Sequence, residues 1–311
     1  MKKLAIVQAP PVFLNLNKSI EKACDYISQA AQNGADLVMF PEAYLPGYPS
    51  WVWRLRPGGD MGMCKDLHRE LVNNSVDLRK DGLSQIQKAV EKSNITLAIG
   101  FQEINSESSG ATMFCSYAII GPDGKILNVH RKLVPTNPER MIWGRGDASG
   151  LNVVDTPAGR IGSLICWENY MPLSRYSLYA QGVEIYLAPT WDCGEGWQAT
   201  MRHIAREGGC WVAATSTAIQ CSDIPDSVPH KSDVFPDPDN WLSEGGAVLY
   251  EPFGDAVTGP MIKEKDILYS EYDLSKVIDG RRSMDVGGHY SRPDIFELNV
   301  NKNKMNNINF K

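Results

Sequence analysis

The chain has 311 residues, of which 43% are hydrophobic and 22% are charged, a composition typical of a soluble globular protein. Its net charge is −6, with both signs interspersed along the chain. This charge pattern argues against nucleic-acid and membrane-surface partners and favours a small-molecule substrate. No stretch reaches the length of a transmembrane span, and the apolar part of "MKKLAIVQAP" ends too early for a signal peptide.

The seven cysteines are odd in number and scattered, unlike the disulfide framework of a small secreted protein. We therefore expect reduced thiols and a cytoplasmic protein. The sequence has no CxxC pair, and its five histidines lie far apart, so we expect no metal. We expect no organic cofactor either, because the glycine-rich motifs that bind dinucleotides and phosphates are missing.

Hydrophobic periodicity predicts a first strand from Leu4 to Gln8 and an amphipathic helix over about 17–32. The apolar run "ADLVMF" follows and fits a strand that is buried on both faces. Further strands are predicted at 96–101, 113–120, 126–130, 160–165, 184–188, 211–215 and 246–250. Further helices are predicted at 82–93, 172–181 and 197–208. This alternation indicates a layered α/β fold, and the length allows one large domain or two small ones.

Two segments of the chain resemble each other. "QNGADLVMFPE" (32–42) and "AQGVEIYLAPT" (180–190) each run from a helix end through glycine and an acidic residue into apolar residues and proline. One interpretation is that the two halves of the chain have the same architecture. The other is that the segments are alike only because any junction from a helix through glycine to a strand has such a sequence.

Loops rich in proline, glycine and aromatic residues follow the predicted strands, at 44–62, 133–150, 189–197 and 221–245. Active sites of open α/β sheets lie at strand ends, so we look for the chemistry in these loops.

Cys166, in "LICWENYMP", follows one such strand. By residue type alone it is more often a buried core residue than a nucleophile, because a reactive cysteine needs a base or cation beside it. Glu42, Lys132 and Glu139 also follow predicted strands. A partly desolvated carboxylate can act as a general base, and a lysine can stabilise developing negative charge.

Four motifs carry a family resemblance: "PEAYLPGYP", "HRKLVPTNPER", "CWENYMP" and "DVGGHYSRPD". In order and context they resemble the nitrilase branch of the carbon–nitrogen hydrolase superfamily. The resemblance implies an α-β-β-α sandwich, with one domain over 1–295. Residues 296–311 are rich in Asn and Lys and have no apolar period, so we expect a mobile tail there. The resemblance also implies self-association, as dimers that extend into larger spirals.

The resemblance assigns the catalytic residues by position. It makes Cys166 the nucleophile, Glu42 the general base and Lys132 the group that stabilises the intermediates, with Glu139 as a second glutamate. The implied reaction is hydrolysis of a nitrile to a carboxylic acid and ammonia through a covalent thioimidate. The implied partner is a small nitrile, and we expect Trp167, Tyr48, Trp191 and His130 to shape its pocket.

Several alternatives stay open at this point. His130 could form a Cys–His dyad with Cys166, and Glu139 could form a plain salt bridge with Arg140. The same scaffold also serves amidases, N-carbamoyl hydrolases and cyanide hydrolases. A non-catalytic interaction protein is a third class, against which the intact triad argues.

Overall fold

A computed structural model describes residues 1–107 and 109–305. Two β-sheets pack face to face, and helices cover their outer faces. The strands are β1 Lys2–Val7, β2 Leu37–Met39, β3 Thr96–Ile104, β4 Met113–Ile120, β5 Ile126–Arg131, β6 Val154–Thr156, β7 Gly159–Ser163, β8 Ile185–Pro189, β9 Trp211–Thr215, β10 Ala218–Gln220, β11 Trp241–Tyr250, β12 Ala256–Ile262 and β13 Ile267–Tyr272. The helices are α1 Leu16–Gln32, α2 Met61–Asn73, α3 Ser84–Ser93, α4 Pro172–Tyr179, α5 Glu195–Gly208, α6 Lys231–Val234 and α7 Ser275–Ser283.

The first sheet has the order β13-β1-β2-β3-β4-β5. Its strands β1, β2 and β3 are parallel, with Leu4 paired to Leu37 and Leu37 paired to Thr96. β2 is buried on both faces, which explains why its sequence is a continuous apolar run. β2 therefore ends inside the molecule, and the chain continues from there to Glu42.

The second sheet repeats this plan. Its order is β10-β11-β9-β8-β7-β6, with β12 added beside β11, and β7, β8 and β9 are parallel. β8 thus has the same place in the second sheet that β2 has in the first, between two parallel neighbours. The likeness between 32–42 and 180–190 reflects this repeat, because each segment runs from a helix end into the middle parallel strand.

Three apolar layers hold the sandwich together. The central layer lies between the sheets and joins β1 and β2 to β8 and β9, through residues such as Ile6, Met39, Leu187 and Ala213. The second layer packs α1 and α3 on the first sheet, and the third packs α4 and α5 on the second sheet. The predicted α-β-β-α sandwich is confirmed.

The structure corrects several predicted boundaries. β11 begins at Trp241, inside the predicted loop 221–245, and α2 begins at Met61, inside the predicted loop 44–62. α2 buries only Leu67 and Leu71, so its apolar stripe is narrow and easily missed. β12 was not predicted because its side chains are mostly exposed and it includes Pro260.

The predicted tail, 296–311, lies partly outside the described residues. Its described part, 296–305, has no helix or strand. Lys302 Nζ donates to Asn152 Oδ1 at 2.7 Å, and the Met305 backbone N–H donates to Asp147 Oδ2 at 2.8 Å. The domain boundary at 295 stays a prediction. In the part of the chain that the structure describes, no helix is long and apolar enough to cross a bilayer.

Candidate active site

The predicted catalytic residues converge between the ends of the two sheets. Glu42 follows β2, Lys132 follows β5 and Cys166 follows β7, so distant segments supply the three groups. Lys132 Nζ lies 2.7 Å from Glu42 Oε1 and 2.7 Å from Glu139 Oε2. Cys166 and Glu139 line one cavity. All four side chains are buried.

The two oxygens of Glu42 differ in their surroundings. Oε1 accepts hydrogen bonds from Lys132 Nζ and, at 3.5 Å, from Cys115 Sγ. Oε2 is buried and has no hydrogen-bond partner among the described residues. Burial raises the pKa of Glu42 to about 7, the charge of Glu139 adds to the increase, and Lys132 opposes it. Glu42 therefore has one unoccupied oxygen and a pKa that suits a general base.

Glu139 is fully hydrogen-bonded, in contrast to Glu42. Its Oε2 accepts from Lys132 Nζ and from the Thr136 backbone N–H at 2.6 Å, and its Oε1 accepts from Tyr48 Oη at 2.7 Å. Arg140 is exposed and donates to the Pro135 carbonyl at 3.1 Å, so the cationic partner of Glu139 is Lys132. Glu139 therefore fixes the lysine.

Lys132 keeps its charge in this buried site. Burial lowers its pKa, but the negative charges of Glu42 and its neighbours outweigh that effect and raise the pKa well above the ordinary lysine value. A permanent cation thus lies beside the carboxylate and the thiol.

Cys166 lies at the first position of a 3₁₀ turn, Cys166–Tyr170, in the left-handed region with φ of 54°. This conformation is strained for a residue with a side chain and is found disproportionately at functional sites. Asn169 Nδ2 stabilises the turn by donating to the carbonyls of Leu164 and Cys166, at 3.0 and 2.7 Å.

The thiol of Cys166 accepts a hydrogen bond from Thr190 Oγ1 at 3.1 Å. Burial raises the pKa of Cys166 to about 12, Glu42 adds to the increase, and Lys132 opposes it. The sulfur is therefore protonated in the resting site, and a nucleophilic role for it would require a base.

A cavity of about 230 Å³ opens onto the sulfur and has mainly aromatic walls. Tyr48 and Trp191 stack in parallel, with ring centroids 4.2 Å apart. Trp167 is 45% exposed, and its Nε1 donates to Asp192 Oδ2 at 3.0 Å. The full lining is Tyr48, Trp53, Thr136, Glu139, Cys166, Trp167, Trp191 and Asp192. Three of the four predicted pocket residues, Tyr48, Trp167 and Trp191, thus border the cavity.

The fourth, His130, lies elsewhere. Its ring is completely buried, and its Nε2 lies 3.0 Å from Glu168 Oε2. Within the described residues its Nδ1 has no partner. β5 ends at Arg131, so His130 and Lys132 do not share one regular strand, and their side chains have different partners. The position of His130 favours a supporting role over a place in the pocket.

Sequence reasoning missed two residues that contact the predicted catalytic groups: Cys115 and Thr190. A signal for Thr190 was present, because the repeated segments align Pro41–Glu42 with Pro189–Thr190. Cys115 gave no such signal, since it reaches Glu42 across 73 positions of the chain. Across residues 1–107 and 109–305, no group of three or more His, Cys, Asp or Glu side chains could hold a metal ion.

Comparisons with known proteins identify the family of this chain. A family model for carbon-nitrogen hydrolases matches residues 3–282. Nitrilase 2 of Arabidopsis thaliana is 37% identical over 315 residues, covering 99% of this chain and 91% of that protein. An aliphatic nitrilase of Sinorhizobium fredii is 36% identical, covering 96% of each.

A solved structure shares the fold. The crystal structure of a carbon-nitrogen hydrolase from Helicobacter pylori G27 has a TM-score of 0.70 and 19% identity, covering 91% of this chain and 93% of that one. The family match over most of the chain, together with full-length relatives above one-third identity, establishes the family. This chain belongs to the carbon-nitrogen hydrolase family.

Proposed function

We propose that this protein is a nitrilase that hydrolyses an organic nitrile to a carboxylic acid and ammonia. The observation that carries the proposal is the buried Glu42–Lys132–Cys166 cluster, beside an aromatic cavity at the sulfur. Among residues 1–107 and 109–305, Glu42 Oε2 has no hydrogen-bond partner and is free to accept a proton. The nitrilase names of full-length relatives support the choice of nitriles as substrates.

In the first step the Cys166 thiol gives its proton to Glu42 Oε2 as the sulfur attacks the nitrile carbon. The nitrile nitrogen receives this proton from Glu42, which yields a thioimidate and restores the carboxylate. Oε2 is the acceptor because Oε1 is already bound by Lys132 and Cys115. Proton transfer during attack suits a thiol whose pKa burial has raised to about 12.

In the second step Glu42 takes a proton from water as the water adds to the thioimidate carbon. Glu42 gives this proton to the nitrogen, and the proton of the added hydroxyl follows through Glu42 as the C–N bond breaks. Both water protons thus leave in the ammonia, and a thioester remains. A second water, activated in the same way, releases the carboxylic acid and restores the thiol. The Lys132 ammonium and the Trp167 backbone N–H stabilise the tetrahedral species.

The cavity favours nitriles with a flat or apolar side group. Its stacked Tyr48 and Trp191 rings present apolar faces, and the Tyr48 hydroxyl is already held by Glu139. Aromatic walls contribute binding free energy through contact area and leave few polar groups free to recognise a polar substituent. We therefore expect an arylacetonitrile to have a lower KM than a short aliphatic nitrile.

Ammonia release tests the proposal directly. Purified protein is assayed with aliphatic nitriles, arylacetonitriles, cyanide and the matched amides, beside a Cys166→Ala variant. We expect ammonia and acid from an organic nitrile, and none from the variant. Turnover of amides alone would make the enzyme an amidase, turnover of cyanide alone would make it a cyanide hydrolase, and silence from folded protein would contradict catalysis.

We also propose that the chain self-associates in the cytoplasm. Large apolar side chains exposed on the monomer support self-association, including Leu173 (67% exposed) at the start of α4 and Ile278 (74% exposed) on α7. All seven cysteines are free thiols, in keeping with a reducing compartment. Light scattering behind a sizing column would test the assembly, and a monomer at micromolar concentration would contradict it.

A further inference from the structure

Glu168 is a third buried glutamate near Cys166, beside Glu42 and Glu139, and the reaction described above does not use it. It lies two residues after the nucleophile, is 1% exposed and does not line the cavity. Isolated buried carboxylates are costly, so its position calls for a set of compensating donors.

The Glu168 carboxylate has three such donors. Its Oε2 accepts from the Ile165 backbone N–H at 2.6 Å, and its Oε1 accepts from the Leu133 backbone N–H. His130 Nε2 faces both oxygens, at 3.0 and 3.2 Å. Ile165 directly precedes the nucleophile, and Leu133 directly follows the lysine. One side chain therefore holds the backbone beside Cys166 and the backbone beside Lys132.

These contacts link the two sheets. Lys132 follows β5 of the first sheet, and Cys166 follows β7 of the second. In the described part of the chain, Glu168 makes every hydrogen bond between 130–133 and 165–168. A glutamate that merely capped the 3₁₀ turn would need only the Ile165 N–H.

We propose that Glu168 and His130 form a clasp that sets the position of the Cys166 sulfur relative to Lys132 and Glu42. Both are positioning residues, since neither borders the cavity. His130 donates from Nε2, which orients the carboxylate so that each oxygen faces one backbone N–H. The inference rests on the proposed function, because it assigns a purpose to the spacing between these groups.

Glu168→Gln is the sharpest change, because it alters one atom and keeps the shape. An amide has one acceptor oxygen, so its NH₂ group would face the N–H of either Leu133 or Ile165. The variant therefore loses its hydrogen bond to one of these two backbone segments. Small displacements of reacting groups have large kinetic costs, so we expect kcat per active site to fall ~10²-fold, with KM within about threefold of wild type.

His130 offers a conservative variant and a disruptive one. In His130→Gln the side-chain NH₂ takes the place of Nε2–H, so we expect kcat within about threefold of wild type. His130→Leu has no donor and should lower kcat ~10-fold or more. His203→Leu, which removes an exposed histidine paired with Glu207 on α5, is the matched control and should keep wild-type kcat.

Alkylation of Cys166 by iodoacetamide, followed by peptide mass spectrometry, makes the test independent of any nitrile. We expect slower alkylation in Glu168→Gln and His130→Leu than in wild type and His130→Gln, because the thiol has moved from its base. If wild type hydrolyses no nitrile, the proposed function fails, and this order of rates still tests the clasp. Equal rates and equal kcat for His130→Gln and His130→Leu would overturn it, even if Glu168→Gln fails to fold.

Discussion

Glu42 and Glu168 are both buried glutamates beside the active-site segments, but their surroundings differ. Glu42 has one oxygen with no partner among the described residues, and burial raises its pKa to about 7. Both oxygens of Glu168 are occupied by two backbone N–H groups and His130. Free hydrogen-bonding capacity therefore distinguishes a carboxylate that can accept a proton from one that holds the chain in place.

The same contrast applies to the two sheets. Glu42 follows β2, and Thr190 has the equivalent place after β8. Thr190 donates a hydrogen bond to the Cys166 sulfur, and Glu42, whose charge raises the pKa of that thiol, is the base that we propose for it. Repeated architecture thus delivers two residues with different chemistry to one reacting atom.

Replacing the base should have the largest effect. We expect Glu42→Gln to lower kcat/KM by ~10²–10⁴-fold, because an amide cannot take the proton of the thiol. The ion pair between Lys132 and Glu139 remains, so thermal unfolding should change little. Steady-state kinetics on the folded variant measure the loss, and kcat/KM within threefold of wild type would contradict the role of Glu42.

Acidic pH should have the next largest effect. Burial raises the pKa of Glu42 to about 7, so the carboxylate is present above that pH and is protonated below it. We expect kcat/KM to fall about tenfold for each pH unit below 7, once unfolding is excluded by circular dichroism. A profile that stays flat down to pH 5 would assign the base to a group with an ordinary carboxyl pKa.

Removing the charge of Glu139, which holds Lys132 in position, should have a smaller effect on kcat. We expect Glu139→Gln to lower kcat ~10-fold, because Lys132 loses one of its two ionic partners but keeps Glu42. Arg140→Gln changes the exposed neighbour and is the control, with kcat expected at the wild-type value. An equal loss in both variants would favour a plain Glu139–Arg140 salt bridge.

Replacing Thr190, which follows β8 of the second sheet, should have the smallest effect on kcat. We expect Thr190→Val to lower kcat ~3-fold, because the variant loses the hydroxyl that donates to Cys166 Sγ but keeps the base. Thr190→Ser keeps the hydroxyl and should stay near wild type. A loss in Thr190→Ser equal to that in Thr190→Val would show that the methyl group matters and the hydroxyl does not.

The fold class could be predicted from the sequence because apolar runs mark the buried strands. The proposed catalytic residues Glu42, Lys132 and Cys166 were assigned instead by the position of family motifs, and each lies within three residues of a strand end. The partners of His130 were beyond such reasoning, since its contact with Glu168 joins two sheets. Pairing of β13 with β1 is likewise set by tertiary packing across most of the chain.

The proposed reaction requires a covalent bond between the Cys166 sulfur and the nitrile carbon. Mass spectrometry of protein quenched with acid during turnover measures this directly, in wild type and in Cys166→Ala. We predict a mass increase equal to the thioimidate or the thioester on the peptide that contains Cys166, and none in the variant. Ammonia release by Cys166→Ala at the wild-type rate, with no adduct in either protein, would contradict the account.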